Sequence, residues 1–142
     1  MKTLLKAGLI ILALLPYGMA AAAETATVYR DPNCGCCGEY VKYLEKNGFR
    51  TKVIIMDDMT PIKKQSKVPR AMESCHTTRI GGYVVEGHVP VGAIKKLLAD
   101  KPKIIGISVP GMPAGSPGMG GEKTEPLAVY EITDEKREFY SE

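Results

Sequence analysis

The 142-residue sequence has no tryptophan, two phenylalanines and only two histidines, and no block of lysine and arginine interleaved with aromatics. That last absence removes the electrostatic footprint of nucleic-acid binding. The formal charge of +3 is itself mostly local: Lys2 and Lys6 lie near the N-terminus with no acid nearby, and beyond residue 23 the balance is 17 basic residues against 16 acidic ones. No apolar run after that point approaches the roughly 20 residues that cross a bilayer. No internal repeat is evident, which excludes a solenoid or propeller.

The first 23 residues do carry a pattern. Lys2 and Lys6 precede an apolar run from Ala7 to Leu15, and Pro16 then leads to the small-residue stretch Met19 to Ala23. A charged start, a short apolar segment and small residues at its end mark a secretory signal peptide. Residues 1–23 are expected to be removed on export to the periplasm, with the mature start between Ala21 and Glu24. Residues 24–142 then form a single domain with no stable membrane insertion. Its 119 residues suffice for one modest core, and balanced charge without a coiled-coil pattern points to a monomer.

Thr25 to Arg30 alternates in the manner of a strand, and Asp31-Pro32-Asn33 turns the chain into Cys34-Gly35-Cys36-Cys37. From Cys37, the residues Tyr40, Val41 and Leu44 recur at helical spacing as far as the stop Asn47-Gly48. Arg50 to Met56 reads as a strand, and Thr60-Pro61 opens a short helix to about Lys67. Ala71 to Ile80 and Tyr83 to Glu86 read as a hairpin about Gly81-Gly82, and Val91 to Leu98 as a third helix ending by Pro102. Ile104 to Val109 is a further strand, 110–121 a glycine, proline and methionine loop, and Leu127 to Thr133 with Arg137 to Tyr140 a final hairpin.

This order, with Cys34 and Cys37 in Cys-x-x-Cys spacing after the first strand, resembles the thioredoxin-like fold. The fold class expected is α/β, a thioredoxin-like domain with an extended C-terminal β region. In that fold a cis-proline faces the cysteine pair, and Pro69 is the residue expected there, since an X-Pro bond has only a small preference for trans.

All four cysteines lie in the exported part. Export favours two disulfides, in one of three connectivities. Cys34, Cys36 and Cys37 are so close together that pairing Cys36 with Cys37, or Cys34 with Cys36, needs a strained small loop, so at most one ordinary bridge forms and two thiols remain. Thiolates combined with thioethers select Cu(I) over zinc, magnesium or calcium. Such crowding also departs from structural zinc sites, whose ligands come from two separated knuckles, and suits thiolates that bridge more than one copper ion. A position at a helix N-terminus lowers thiol pKa.

Cys75, in Ser74-Cys75-His76-Thr77, is expected to reach the other three. His76, its neighbour on a predicted strand, is expected to face the opposite way, so His88 in Glu86-Gly87-His88-Val89-Pro90 is the imidazole ligand of choice. Met112 and Met119 stand in a loop with almost no apolar bulk, where a thioether is a ligand rather than packing; a flexible linker is the alternative use of that loop. Met56, Met59 and Met72 are read as fillers of core gaps, and Asp57-Asp58 as a solvated turn.

Five segments in order resemble the CopG-like family of periplasmic copper-resistance proteins. They are Cys34-Gly35-Cys36-Cys37, Val68-Pro69, Ser74 to Thr77, Tyr83 to Pro90, and Pro110 to Pro113 with Gly115 to Met119. The resemblance implies copper held by cysteines that bridge several ions, a role in copper tolerance, and interconversion of Cu(I) and Cu(II). It carries onto Cys34, Cys36, Cys37, Cys75, His88, Met112 and Met119, and it implies other periplasmic copper-handling or efflux proteins as partners. One departure stands out. The family's first helix favours tryptophan and histidine where this sequence has Tyr40 and Tyr43, so a ligand supplied there would be missing.

The reading is a copper-binding protein rather than an enzyme, although copper redox chemistry blurs that line. Two rivals remain. One is a thiol–disulfide oxidoreductase using Cys34 and Cys37; the other is a zinc-stabilised module that unfolds on chelation.

Overall fold

The computed structural model describes residues 23–142. The signal-peptide segment, apart from Ala23, lies outside the described residues. Among those described, no helix is long and apolar enough to cross a membrane.

In chain order the elements are β1 (Thr25–Arg30), α1 (Gly35–Lys46), β2 (Arg50–Ile55), α2 (Thr60–Gln65), β3 (His76–Ile80), β4 (Tyr83–Glu86), α3 (Val91–Asp100), β5 (Gly106–Ser108), β6 (Ala128–Glu131) and β7 (Glu138–Ser141). The strands form one mixed sheet in the order β2-β1-β3-β4-β5-β6-β7. β1 runs parallel to β2 and antiparallel to β3, and Gly81-Gly82, both at positive φ, turn β3 into β4. β5 lies parallel to β4, and the hairpin of β6 and β7 extends the sheet beyond it. The α/β class and the extended C-terminal β region are as expected.

The core follows from the periodicities. Tyr40 and Leu44, one helical turn apart on α1, join Ala93, Ile94 and Leu97 of α3 against Val28, Val85, Ile107 and Val129 of the sheet. Each large aliphatic side chain buried in this way stabilises the fold by about 1.5–3 kcal/mol. A smaller cluster of Val68, Met72, Val84 and Ile132 places Met72 in a core, as its sequence context suggested. The Asp58 carboxylate accepts the Thr60 N–H at 2.8 Å, so Asp57-Asp58 is a turn into α2.

Three expectations need correction. No peptide bond among the described residues is cis, so Pro69 is trans, at φ −64° and ψ 146°. The chain bends there through a 3-10 turn over Arg70–Met72, closed by the Met72 N–H on the Pro69 carbonyl at 2.8 Å. That turn also shortens the predicted strand from Ala71 to Ile80, which begins only at His76. The helix expected from Cys37 instead starts at Gly35, so Cys36 and Cys37 both lie in its first turn.

Gly106 is where the sheet tolerates no side chain: a Cβ there would lie 1.8 Å from the Val84 carbonyl oxygen, across the β4–β5 pairing. Gly106→Ala is expected to cost about 3 kcal/mol or more in urea denaturation. Gly120→Ala, with nothing within 4 Å of the added carbon, should stay within about 0.5 kcal/mol. Equal effects at the two positions would contradict this account of the pairing.

Candidate metal centre

The cysteines meet at the start of α1. Cys34 is its N-cap residue, and its backbone N–H is turned in by the Asp31 carbonyl at 3.3 Å. Cys34 and Cys37 are three residues apart, about one helical turn, and are joined by a disulfide with a Cα–Cα distance of 5.3 Å. Cys36 and Cys75 are free and half-buried. The Cys36 sulfur lies 3.4 Å from Cys34 Sγ and 3.9 Å from Cys75 Sγ. All four sulfurs fall within 4.8 Å of one another, close enough to hold a metal once the disulfide is open.

Cys75 also faces both histidines. Its sulfur is 3.2 Å from His76 Nδ1 and 3.0 Å from His88 Nε2. The opposite-face expectation for His76 therefore fails. Cys75 sits in a bend before β3 rather than within it, so strand alternation does not govern the pair. His76 is fully buried, and its Nε2 has no hydrogen-bond partner. The opposite-face expectation follows from a strand that runs from Ala71; Pro69, which leads into the 3-10 turn, is the sequence signal for a later start.

His88 occupies the centre of a tight turn closed by the Val89 N–H on the Gly87 carbonyl at 2.9 Å. Gly87 is required there: φ is +76°, and a Cβ would meet Ser74 at 2.5 Å and the Val109 carbonyl at 2.8 Å. His88 Nδ1 lies 2.7 Å from the Pro117 carbonyl. A carbonyl only accepts, so Nδ1 carries the proton and Nε2 turns its lone pair toward Cys75. Two tyrosines of α1 hold the same segment: Tyr40 Oη donates to the Val89 carbonyl at 2.8 Å, and Tyr43 Oη accepts the Val91 N–H at 3.0 Å. Tyr43 thus caps the first turn of α3. The Tyr40 ring also packs on His76 and edge-on to His88, with centroids 4.6 and 5.5 Å away.

Burial sets the protonation states. The Cys75 thiol is pushed up to about 11, first by burial and then by Cys36 beside it, so it is protonated at neutral pH and would have to lose that proton to hold a metal. His76 is pulled down to about 3 by burial, with the neighbouring His88 and Lys63 adding to the shift. Burial lowers His88 as well. Both imidazoles are therefore neutral, and competent as ligands, at neutral pH.

Beneath the site lies a buried ion pair that the sequence reading did not identify. The Glu86 carboxylate, fully buried, accepts from Lys63 Nζ, from the Ser74 N–H at 2.8 Å and from Thr77 Oγ1 at 2.6 Å. The residues on both sides of Cys75-His76 are thereby tied to one carboxylate. Burial pushes the Glu86 carboxyl pKa up, and Lys63 opposes the shift. A charged residue at the end of the short strand Tyr83–Glu86 was the only sequence signal, and a weak one.

The methionine loop is fastened over the centre. The Gly111 N–H donates to the Glu73 carbonyl at 3.1 Å, and Ser74 Oγ donates to the Gly111 carbonyl. Gly118 lies so close to α1 that a Cβ would meet Tyr40 N at 2.7 Å and the Cys36 carbonyl at 3.1 Å. Met112 and Met119 follow these two anchors directly; Met112 is 55% exposed and Met119 partly buried. A groove of about 740 Å³ between Met72, Pro113, Leu127 and Tyr130 contains none of the cysteines or histidines.

Two measurements follow. Metal-free protein should lose stability as pH falls below about 6.5, because the unfolded chain then protonates His76 while the folded chain resists until about 3. The loss from His76 alone reaches about 2 kcal/mol by about pH 5. Urea midpoints read it, and the His76 ring signals should stay unshifted over the same range; titration of the folded His76 near its ordinary value would contradict it. Separately, Lys63→Met should cost about 3–5 kcal/mol by stranding the Glu86 charge, and much of that should return in the double variant with Glu86→Gln.

No curated protein matches the sequence. A family model described as "Protein of unknown function, DUF411" matches residues 72–119, a span that includes Cys75, His76, His88 and both loop methionines. Two solved structures, of the copper resistance protein CopG in its forms 2 and 1, are each 40% identical to the chain, with TM-scores of 0.76 and 0.74. The first match covers 84% of this chain and 98% of that one, and the second covers 83% and 96%. With identity at that level over nearly the whole of both relatives, the chain belongs to the family of the copper resistance protein CopG.

Proposed function

We propose that this chain is exported to the periplasm and there holds several copper ions on Cys34, Cys36, Cys37 and Cys75 in the service of copper tolerance. His88, Met112 and Met119 act as auxiliary donors. The observation that carries the reading is the convergence of four sulfurs within 4.8 Å. A neutral imidazole faces one of them, at 3.0 Å. Sulfur donors in this density favour Cu(I), and copper as the metal is supported by the 40% identity to the copper resistance protein CopG.

Loading the full set requires the Cys34–Cys37 disulfide to open. Two electrons from a dithiol reductant convert it to two thiols, whose protons leave as copper binds. Imidazole beside thiolate lets the centre tolerate Cu(II) as well as Cu(I), and so support cycling between them. The chain acts as a monomer that passes copper to other periplasmic copper-handling or efflux proteins.

The Cys34–Cys37 bridge at the start of α1 also favours a second reading, a thiol–disulfide oxidoreductase. Neither Cys36 nor the Cys75–His88 pair is needed for that chemistry.

Titrating the reduced protein with Cu(I) against a competing chelator is expected to show uptake well beyond one equivalent. Cys36→Ser and Cys75→Ser should each lower the stoichiometry while the fold persists. A sharp end at one equivalent in the parent protein would exclude the bridged arrangement. Copper-independent exchange activity that disappears in Cys34→Ser would place the oxidoreductase first. Mass analysis of periplasmic protein should find a mature start between Ala21 and Glu24; a retained N-terminus would contradict export by cleavage.

A further inference from the structure

We infer that Cys75, His76 and His88 form a second copper site, for a single ion, that is complete while the Cys34–Cys37 disulfide is closed. The inference rests on the copper reading above for the identity of the metal. Closing the disulfide withdraws two of the four thiolates from the sulfur set, leaving Cys36 and Cys75 at 3.9 Å. The other donor set uses neither bridged cysteine. Its sulfur and two ring nitrogens lie within 4.8 Å of one another, with separations of 3.2 and 3.0 Å from the sulfur to the two nitrogens.

Around one ion with metal–sulfur and metal–nitrogen bonds of about 2.3 and 2.0–2.1 Å, such donors stand about 3.5 Å apart. Binding therefore asks each nitrogen to part from the sulfur by only a few tenths of an ångström. His88 is already oriented by the Pro117 carbonyl at 2.7 Å, with its Nε2 lone pair toward the sulfur. The two imidazole rings are nearly perpendicular, at 87°, with centroids 4.9 Å apart, so they are packed edge to face rather than stacked against each other. Tyr40 covers both rings, and the Glu86 carboxylate holds the Ser74 N–H on one side of Cys75-His76 and the Thr77 hydroxyl on the other.

One thiolate with two imidazoles is the donor set of one-electron copper sites, whose remaining position takes a weak axial ligand. It accommodates Cu(II) far better than an all-sulfur set does. On loading, the Cys75 S–H bond breaks, an S–Cu bond forms and one proton passes to solvent; the disulfide is unchanged. Because Cys75 belongs to both sets, the state of the Cys34–Cys37 pair determines which of them holds copper.

The test uses the chain with its disulfide closed and Cys36→Ser, so that Cys75 is the one free thiol, labelled with 15N at histidine. Cu(I) is supplied in acetonitrile, anaerobically and without thiol reductant. Saturation at one equivalent is expected, with the ring nitrogen signals of His76 and His88 shifting together and Cys75 protected from alkylation. No uptake, or uptake that leaves the His76 nitrogens unmoved, overturns the second site. The same titration of the reduced parent chain separates the two readings. Several ions taken up there, with none in the closed form, removes the second site alone; one ion in each form removes the bridged cluster alone; uptake in neither removes both.

Discussion

The buried ion pair between Lys63 and Glu86 is the constraint on which the centre depends. A buried pair of charges seldom adds net stability, because desolvation costs about as much as the attraction returns. Its value here is positional. One carboxylate takes the Ser74 N–H at 2.8 Å and the Thr77 hydroxyl at 2.6 Å, so the bend carrying Cys75 and the start of the strand carrying His76 cannot drift independently. The same glutamate ends β4, immediately before Gly87 and His88, so three donors are referred to one buried group.

A second support comes from α1. Its N-terminal turn presents Cys34, Cys36 and Cys37, and the two turns after it supply Tyr40 and Tyr43, whose hydroxyls hold Val89 and Val91. The helix that carries the thiols thereby also sets the segment that carries His88. Tyr43 is engaged in the fold by capping α3 rather than free to bind an ion.

The two sulfurs joined in the disulfide are among the four that could hold a metal. Cys34 and Cys37 as a disulfide leave Cys36, Cys75 and the two imidazoles as the free donors, whereas their reduction would add two soft donors at the start of α1. The loop from Pro110 to Gly121, pinned at Gly111 and Gly118, closes over that centre. It is therefore a fastened cover, not the flexible linker that its glycine and proline content could equally have encoded.

The sequence by itself determined the chemistry of the donors and the order of the elements. Residue identity is local, the spacing of Cys34 and Cys37 makes one helical turn, and alternation or 3.6-residue periodicity marked β1, α1, β4 and α3. The tertiary structure decided which donors meet. His76 was misplaced because its orientation turns on whether the strand starts before or after Cys75, and that depends on a 3-10 turn closed by Pro69 rather than on any periodicity. Lys63 and Glu86 stayed hidden for a related reason: residues 23 positions apart become partners only when α2 packs beneath the β3–β4 hairpin. A buried charge pair is written in that packing and has no signature in either segment alone.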